Sequence, residues 1–177
     1  LPNAYPEETQ VFYHRMALPW PILQTVAYKE TGFDAQAVSY ADALGLMQMI
    51  PKTANRVVIE LGDVYWEEEL FQPIRSLELG VYYLKILLQE FKGQWPLALG
   101  AYNGGPKAMR KWMKIHGHLP FDEFVEMIGH AQAREYIKKG VGIYARYDHM
   151  VSSQSSHQSK LKLPDTIDVQ FLNQVKY

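Results

Sequence analysis

Behind Pro21 the chain places Ile22, Leu23, Val26 and Ala27 at helical spacing, and Gly32 stands just past Glu30. These are the start and stop signals of a short, mostly buried helix over 20–30. A loop from Thr31 to Gly45 follows. Pro51 then opens a second helix carrying Val57, Val58 and Leu61, stopped by Gly62-Asp63. The strongest periodicity is Leu77, Val81, Leu84, Leu87, Leu88 and Phe91, for which Ser76 is the expected N-cap and Gly93 the stop. Trp95 to Tyr102 makes another apolar helix that breaks at Asn103-Gly104-Gly105-Pro106. Met109, Trp112 and Met113 define a short helix before Gly117, and 121–128 and 131–150 complete the set. No stretch alternates with period two for long, so the pattern predicts a mainly α domain with little or no β.

Length and composition set the organisation. With 177 residues, 47% of them hydrophobic, the chain supports one core. We expect a domain over 1–150, a serine- and glutamine-rich linker over 151–160, and a tail over 161–177. The tail holds Leu163, Ile167, Val169, Phe171 and Leu172, enough to dock but not to fold alone. A net charge of −1 gives no electrostatic footprint for nucleic acid. The lack of cysteine removes thiolate catalysis, cysteine zinc sites and disulfides. The six histidines, His14, His116, His118, His130, His149 and His157, show no metal-ligand spacing. No apolar run is long enough to span a bilayer, the first residues carry no leader pattern, and without an initiator Met the sequence reads as a mature or excised segment.

Candidate chemistry centres on Glu30. A carboxylate at the C-terminal end of an apolar helix meets the negative end of the helix dipole in reduced solvation, and both effects favour the protonated acid. General acid catalysis needs such a group. Alone, Glu30 reads as a solvated residue ending a helix.

The neighbouring motifs change that reading. Glu30, Ser39, Gly45-Leu46-Met47-Gln48, Pro51 and Ala101-Tyr102-Asn103-Gly104-Gly105-Pro106 resemble the lysozyme-like catalytic domain of soluble lytic transglycosylases. Further matching pieces are Gly80-Val81-Tyr82-Tyr83-Leu84 and the stretch from Phe124-Val125-Glu126 through Arg134 and Tyr136. The resemblance implies a goose-type, lysozyme-like helical fold with a groove for peptidoglycan glycan strands. It also implies a place in the periplasm or cell envelope, and a larger chain with an N-terminal helical region, as relatives often have.

The implied reaction cuts the β-1,4 bond between N-acetylmuramic acid and N-acetylglucosamine without water, leaving a 1,6-anhydro end. Glu30 would act as acid and then base, with no metal or organic cofactor. The muramoyl C6 hydroxyl would replace the nucleophile that a second carboxylate otherwise supplies or activates. By motif position, Ser39 and Gln48 would hydrogen-bond the sugar or its N-acetyl group. Tyr102 would stand close to Glu30, and Asn103 would shape the same wall. Each also has a plain structural role open to it: loop or turn bonds for Ser39 and Asn103, a backbone cap for Gln48, core for Tyr102.

Three positions depart from the family pattern. Thr31 replaces a Ser, Asp42 a common Gly in the turn before Gly45, where a positive φ, if the turn requires one, would suit Asp less freely than Gly, and Gln132-Ala133-Arg134 stands where many relatives have Glu-Thr-Arg. Gln132 can still bond a sugar or a peptide stem but cannot titrate. Two alternatives stay open: a goose-type lysozyme-like hydrolase that delivers water, and a catalytically impaired peptidoglycan-binding module.

Overall fold

The computed structural model describes residues 1–153 and 161–173. The expected linker, from residue 154 on, and the last four residues of the tail lie outside the described residues. Eight α-helices account for most of the rest: α1 (Pro6–Met16), α2 (Trp20–Thr31), α3 (Pro51–Leu61), α4 (Pro73–Glu90), α5 (Trp95–Gly104), α6 (Pro106–His116), α7 (Phe121–Glu126) and α8 (Ala131–Ser152). Two 3-10 turns, Glu67–Phe71 and Gln170–Asn173, are added to them. Among the described residues β pairing is limited to isolated bridges, as the sequence pattern predicts.

Proline organises the helix starts. It occupies one of the first two positions of each of α1 to α6. A proline there gives up no hydrogen bond and presets φ, so these helices begin without depending on a polar side-chain cap. The same rule corrects one expectation. α4 begins at Pro73, so Ser76 is not its N-cap but a fully buried residue inside its first turn. α1 was not expected from the sequence, because only Thr9, Phe12 and Met16 of its eleven residues are buried and its apolar stripe is thin.

By contact density the described residues form two compact units, 1–85 with 143–153 and 86–142 with 161–173. In the first, α1 packs on α2, whose residues Pro21 to Ala27 are all buried. Complete burial of Ile22, Leu23 and Val26 contributes about 1.5–3 kcal/mol each. The polar members of that run bond locally. Gln24 Nε2 donates to Ala4 O at 2.9 Å and to Thr9 Oγ1 at 3.2 Å, and Thr25 Oγ1 donates to Pro21 O at 2.7 Å. The Tyr147 hydroxyl, pushed up by burial and then by the Tyr28 phenol, donates to Pro2 O at 2.6 Å.

Arg75 ties the Gly62–Gln72 segment to α4 by donating to Asp63, Glu69, Glu78 and the Val64 carbonyl. The Val64 N–H and then Arg75 hold the Asp63 carboxyl below the usual carboxylate range.

In the second unit α5 packs on α6, and Trp95 to Ala101 are all buried. Gly100 permits the close approach: a Cβ there would come within 2.3 Å of Met109 and 2.6 Å of Ile137. Residues 161–173 belong to this unit. Trp95 Nε1 donates to Lys162 O at 3.0 Å, and the Gln94 amide clamps the Asp168 backbone with bonds of 2.8 and 3.1 Å. Ile167, Phe171 and Leu172 are buried, and the Phe171 ring meets Phe91 edge to face at 6.4 Å.

Candidate active site

Glu30 is half-buried in the last turn of α2. The helix stops because Gly32 turns left-handed at φ 63°, its N–H reaching back to Tyr28 O at 2.9 Å. Thr31 fastens this end: its hydroxyl contacts Leu46 O at 3.1 Å as well as Ala27 O at 3.3 Å. The residue that departs from the family's Ser therefore uses its hydroxyl to bind the acid-bearing turn to the Gly45-Leu46 turn.

The loop between them is stitched along its length. Asp34 Oδ1 accepts from Gln36 N at 2.8 Å, and Ser39 Oγ accepts from Ala41 N at 3.2 Å and Ala43 N at 3.0 Å. Antiparallel bridges pair Val38 with Leu44 and Leu44 with Met49. Phe33, Asp42 and Gln48 all have positive φ, at 75°, 56° and 48°. Such conformations are costly for residues with a Cβ, and surrounding bonds must hold them. Asp42 thus adopts the left-handed turn that a Gly would take freely, with its side chain exposed.

Gln48 is held by its own side chain. Nε2 donates to Ala37 O at 3.2 Å and Gly45 O at 3.1 Å, which fixes the amide orientation and uses both its donors. Its Oε1 is left as an acceptor. Ser39 is the complement: its oxygen accepts twice from the backbone, and its hydroxyl proton is committed to no group among the described residues. Both structural roles foreseen for these side chains are realised, and each retains one unused hydrogen-bonding capacity.

The loop is bolted to α4 and to the 3-10 turn before it. A Cβ on Gly45 would fall 1.7 Å from Leu70 O, and one on Gly80 would fall 2.5 Å from Met47 Cβ. Met47 N donates to the buried Ser76 Oγ at 3.1 Å. Ser76 and Gly80 are one helical turn apart on the face that meets the loop. Sequence reasoning missed Ser76 in this role; two small residues four apart in an otherwise bulky helix were the available signal.

Tyr102, Asn103 and Gln132 belong to the second unit. Tyr102 and Asn103 are half-buried on the last turn of α5, which Gly105 ends at φ 84° before Pro106 starts α6. Asn103 Oδ1 is buried with no hydrogen-bond partner among the described residues, a costly state for an amide oxygen. Gln132 is exposed on the first turn of α8. The next residue, Ala133, receives a cap bond from His130, whose Nδ1 accepts its N–H at 3.2 Å. It also lies against the end of α5, where a Cβ on Gly104 would come within 3.1 Å of Ala133 Cβ. Asn103 and Gln132 are each adjacent in sequence to that touching pair. Among the described residues no group of three His, Asp or Glu side chains is placed to hold a metal ion.

The helical chain, with Glu30 at a helix C-terminus and a left-handed, glycine-punctuated loop beside it, shares the lysozyme-like fold of solved lytic transglycosylases. The Pseudomonas aeruginosa lytic transglycosylase Slt, solved as an inactive glutamate-to-glutamine mutant, superposes with a TM-score of 0.86 at 26% identity over 96% of this chain and 27% of its own. A 70-kDa soluble lytic transglycosylase solved in complex with bulgecin A gives 0.82 at 25% identity over 85% of this chain and 25% of its own. The transglycosylase SLT domain family matches residues 11–125, and the chain belongs to that family. A Haemophilus influenzae protein provisionally named a soluble lytic murein transglycosylase is 30% identical over 89% of this chain. The Salmonella typhimurium soluble lytic murein transglycosylase is 29% identical over 76% of it. The chain spans 27% and 21% of the length of these two relatives.

Proposed function

We propose that the chain is the catalytic domain of a peptidoglycan lytic transglycosylase, acting outside the cytoplasmic membrane on the glycan strand. The observation that carries this reading is the half-buried Glu30, fastened through Thr31 to a loop whose Ser39 and Gln48 keep one donor and one acceptor unused. The names of the relatives support it, as does the inactive glutamate-to-glutamine mutant of the Pseudomonas enzyme.

In this reading Glu30 gives its proton to the oxygen bridging N-acetylmuramic acid C1 and N-acetylglucosamine, and that C–O bond breaks. Glu30, now a carboxylate, takes the proton of the muramoyl C6 hydroxyl as its oxygen bonds to C1, which returns the acid to its starting form. No water is consumed, and the product ends in a 1,6-anhydro ring. One carboxylate suffices because the substrate brings its own nucleophile. The Ser39 hydroxyl donates to a carbonyl or hydroxyl oxygen of the sugar, and Gln48 Oε1 accepts from an N–H such as that of the N-acetyl group. Tyr102, Asn103 and Gln132 are assigned to substrate by their motif positions.

Mass spectrometry of digested peptidoglycan tests the reading. Anhydro-ended muropeptides are the expected product. Products heavier by one water would make the chain a hydrolase, and glycan binding without release would make it a binding module.

A further inference from the structure

A second feature of the first unit has no role in the chemistry above. The Gly62–Gln72 segment presents Trp66 with 74% of its surface exposed, beside an open cleft of about 360 Å³. Its walls are Pro51, Lys52 and Asn55 from the first turns of α3, and Tyr65, Trp66 and Glu67 from the segment. The cleft is within the size range of small-ligand sites, about 300–1,000 Å³. It is also held in place: the Tyr65 hydroxyl donates to Pro51 O at 2.8 Å, and Arg75 bonds the segment through Asp63 and Val64 O. Burial, and then Glu67, push the Tyr65 phenol up, so it stays a neutral donor.

We propose that this cleft is an outer subsite for an N-acetylated hexosamine ring of the same glycan strand, with Trp66 as its platform. The inference rests on the peptidoglycan reading of the Glu30 site. A β-linked pyranose has an apolar C–H face ringed by polar groups. The indole offers a broad apolar face with negative charge density for those C–H bonds. Lys52 and Asn55, three apart on α3, share one side of the helix. They supply a cation for a lactyl or stem carboxylate and an amide for a hydroxyl or N-acetyl group, while Glu67 accepts from a hydroxyl. A single exposed indole bordered by cation, amide and carboxylate matches an amphipathic ring better than an apolar protein surface. Pro51 follows Gln48 by three residues, so the two lie within about 11 Å of each other. A ring on Trp66 is therefore in reach of a strand held at the Glu30 loop.

The test compares kcat/KM on a tetrasaccharide and on strands at least twice as long, with peptide stems. Trp66→Ala should lower the long-to-short ratio about tenfold, mainly through KM, and Trp66→Phe should recover most of it. Asn55→Ala, at an exposed helix position, should lower the ratio about threefold. It carries the test alone if Trp66→Ala melts early. An unchanged ratio in a folded Asn55→Ala variant and, if it folds, in Trp66→Ala overturns the subsite while leaving the Glu30 reading intact. Failure of the unaltered protein to cleave either substrate overturns both.

Discussion

α2 and α5 are built alike and end differently. Each buries seven residues in a row, Pro21–Ala27 and Trp95–Ala101, and each carries candidate site residues in its last turn. After α2 the chain makes an 18-residue excursion before α3 (residues 33–50, after the Gly32 cap), with side-chain and backbone bonds at nearly every bend. After α5 a single glycine leads straight into α6. The bonded loop holds three non-glycine residues left-handed and leaves Ser39 and Gln48 satisfied but for one capacity each. Beside the abrupt turn, Asn103 Oδ1 is buried with no hydrogen-bond partner among the described residues. One region fixes geometry by filling its hydrogen bonds. The other keeps a buried amide oxygen in a costly state.

The sharpest way to break this contrast is to remove the proton donor. Glu30→Gln should cut muropeptide release by about 10²–10⁴-fold with the melting transition and glycan pelleting nearly unchanged. Retained turnover would take Glu30 out of its role. Next comes the scaffold of the bonded loop. Gly45→Ala combines a left-handed backbone with a clash on Leu70 O, and should destabilise by about 3–5 kcal/mol in urea unfolding. A loss under about 1 kcal/mol would show that the loop is not locked.

Asn103→Ala should behave in the opposite sense. Removing an unbonded buried oxygen should leave stability equal or raise it by about 1 kcal/mol, while turnover falls. A clear loss of stability would mean that Asn103 is structural.

The smallest effect is acid sensitivity. Asp63 has a lowered carboxyl pKa in the folded state, so its contribution is present above the unfolded value of 3.8 and is lost as pH falls through the lower folded one. Melting temperature followed from about pH 5 to about pH 2 should drop less in Asp63→Asn than in the unaltered protein. Parallel curves would remove Asp63 from the balance.

The seven helices from α2 to α8 were legible because each pairs a strong apolar pattern with a proline or glycine boundary. α1 was not, since its burial rests on three positions among charged ones. Ser76 was misplaced because a serine before an apolar run is also what a helix interior looks like when another backbone must come close. At the candidate site, residue identity came from motif position. The left-handed Gln48 did not, because nothing local marks a glutamine for positive φ; only in the folded loop, where its amide bonds the Ala37 and Gly45 carbonyls, is the conformation seen. The Trp66 cleft was hidden for a related reason. An aromatic pair in an acidic, non-periodic segment has no pattern until the fold brings α3 beside it.

The clamp on residues 161–173 has a consequence for how the protein is made. The Gln94 amide waits for Asp168, 74 residues downstream, and the Trp95 indole for Lys162, 67 residues downstream. During synthesis the bonds of Gln94 and Trp95 to Asp168 and Lys162, and the contact of Phe91 with Phe171, therefore form only after those downstream residues have left the ribosome. Closing so long a loop is slow but adds little entropy beyond that of a shorter one. A chain interrupted at residue 153 would keep Glu30 and its loop but lose the bonds of Gln94 to Asp168 and of Trp95 to Lys162, so the second unit is completed by a segment far downstream of the helix it clamps.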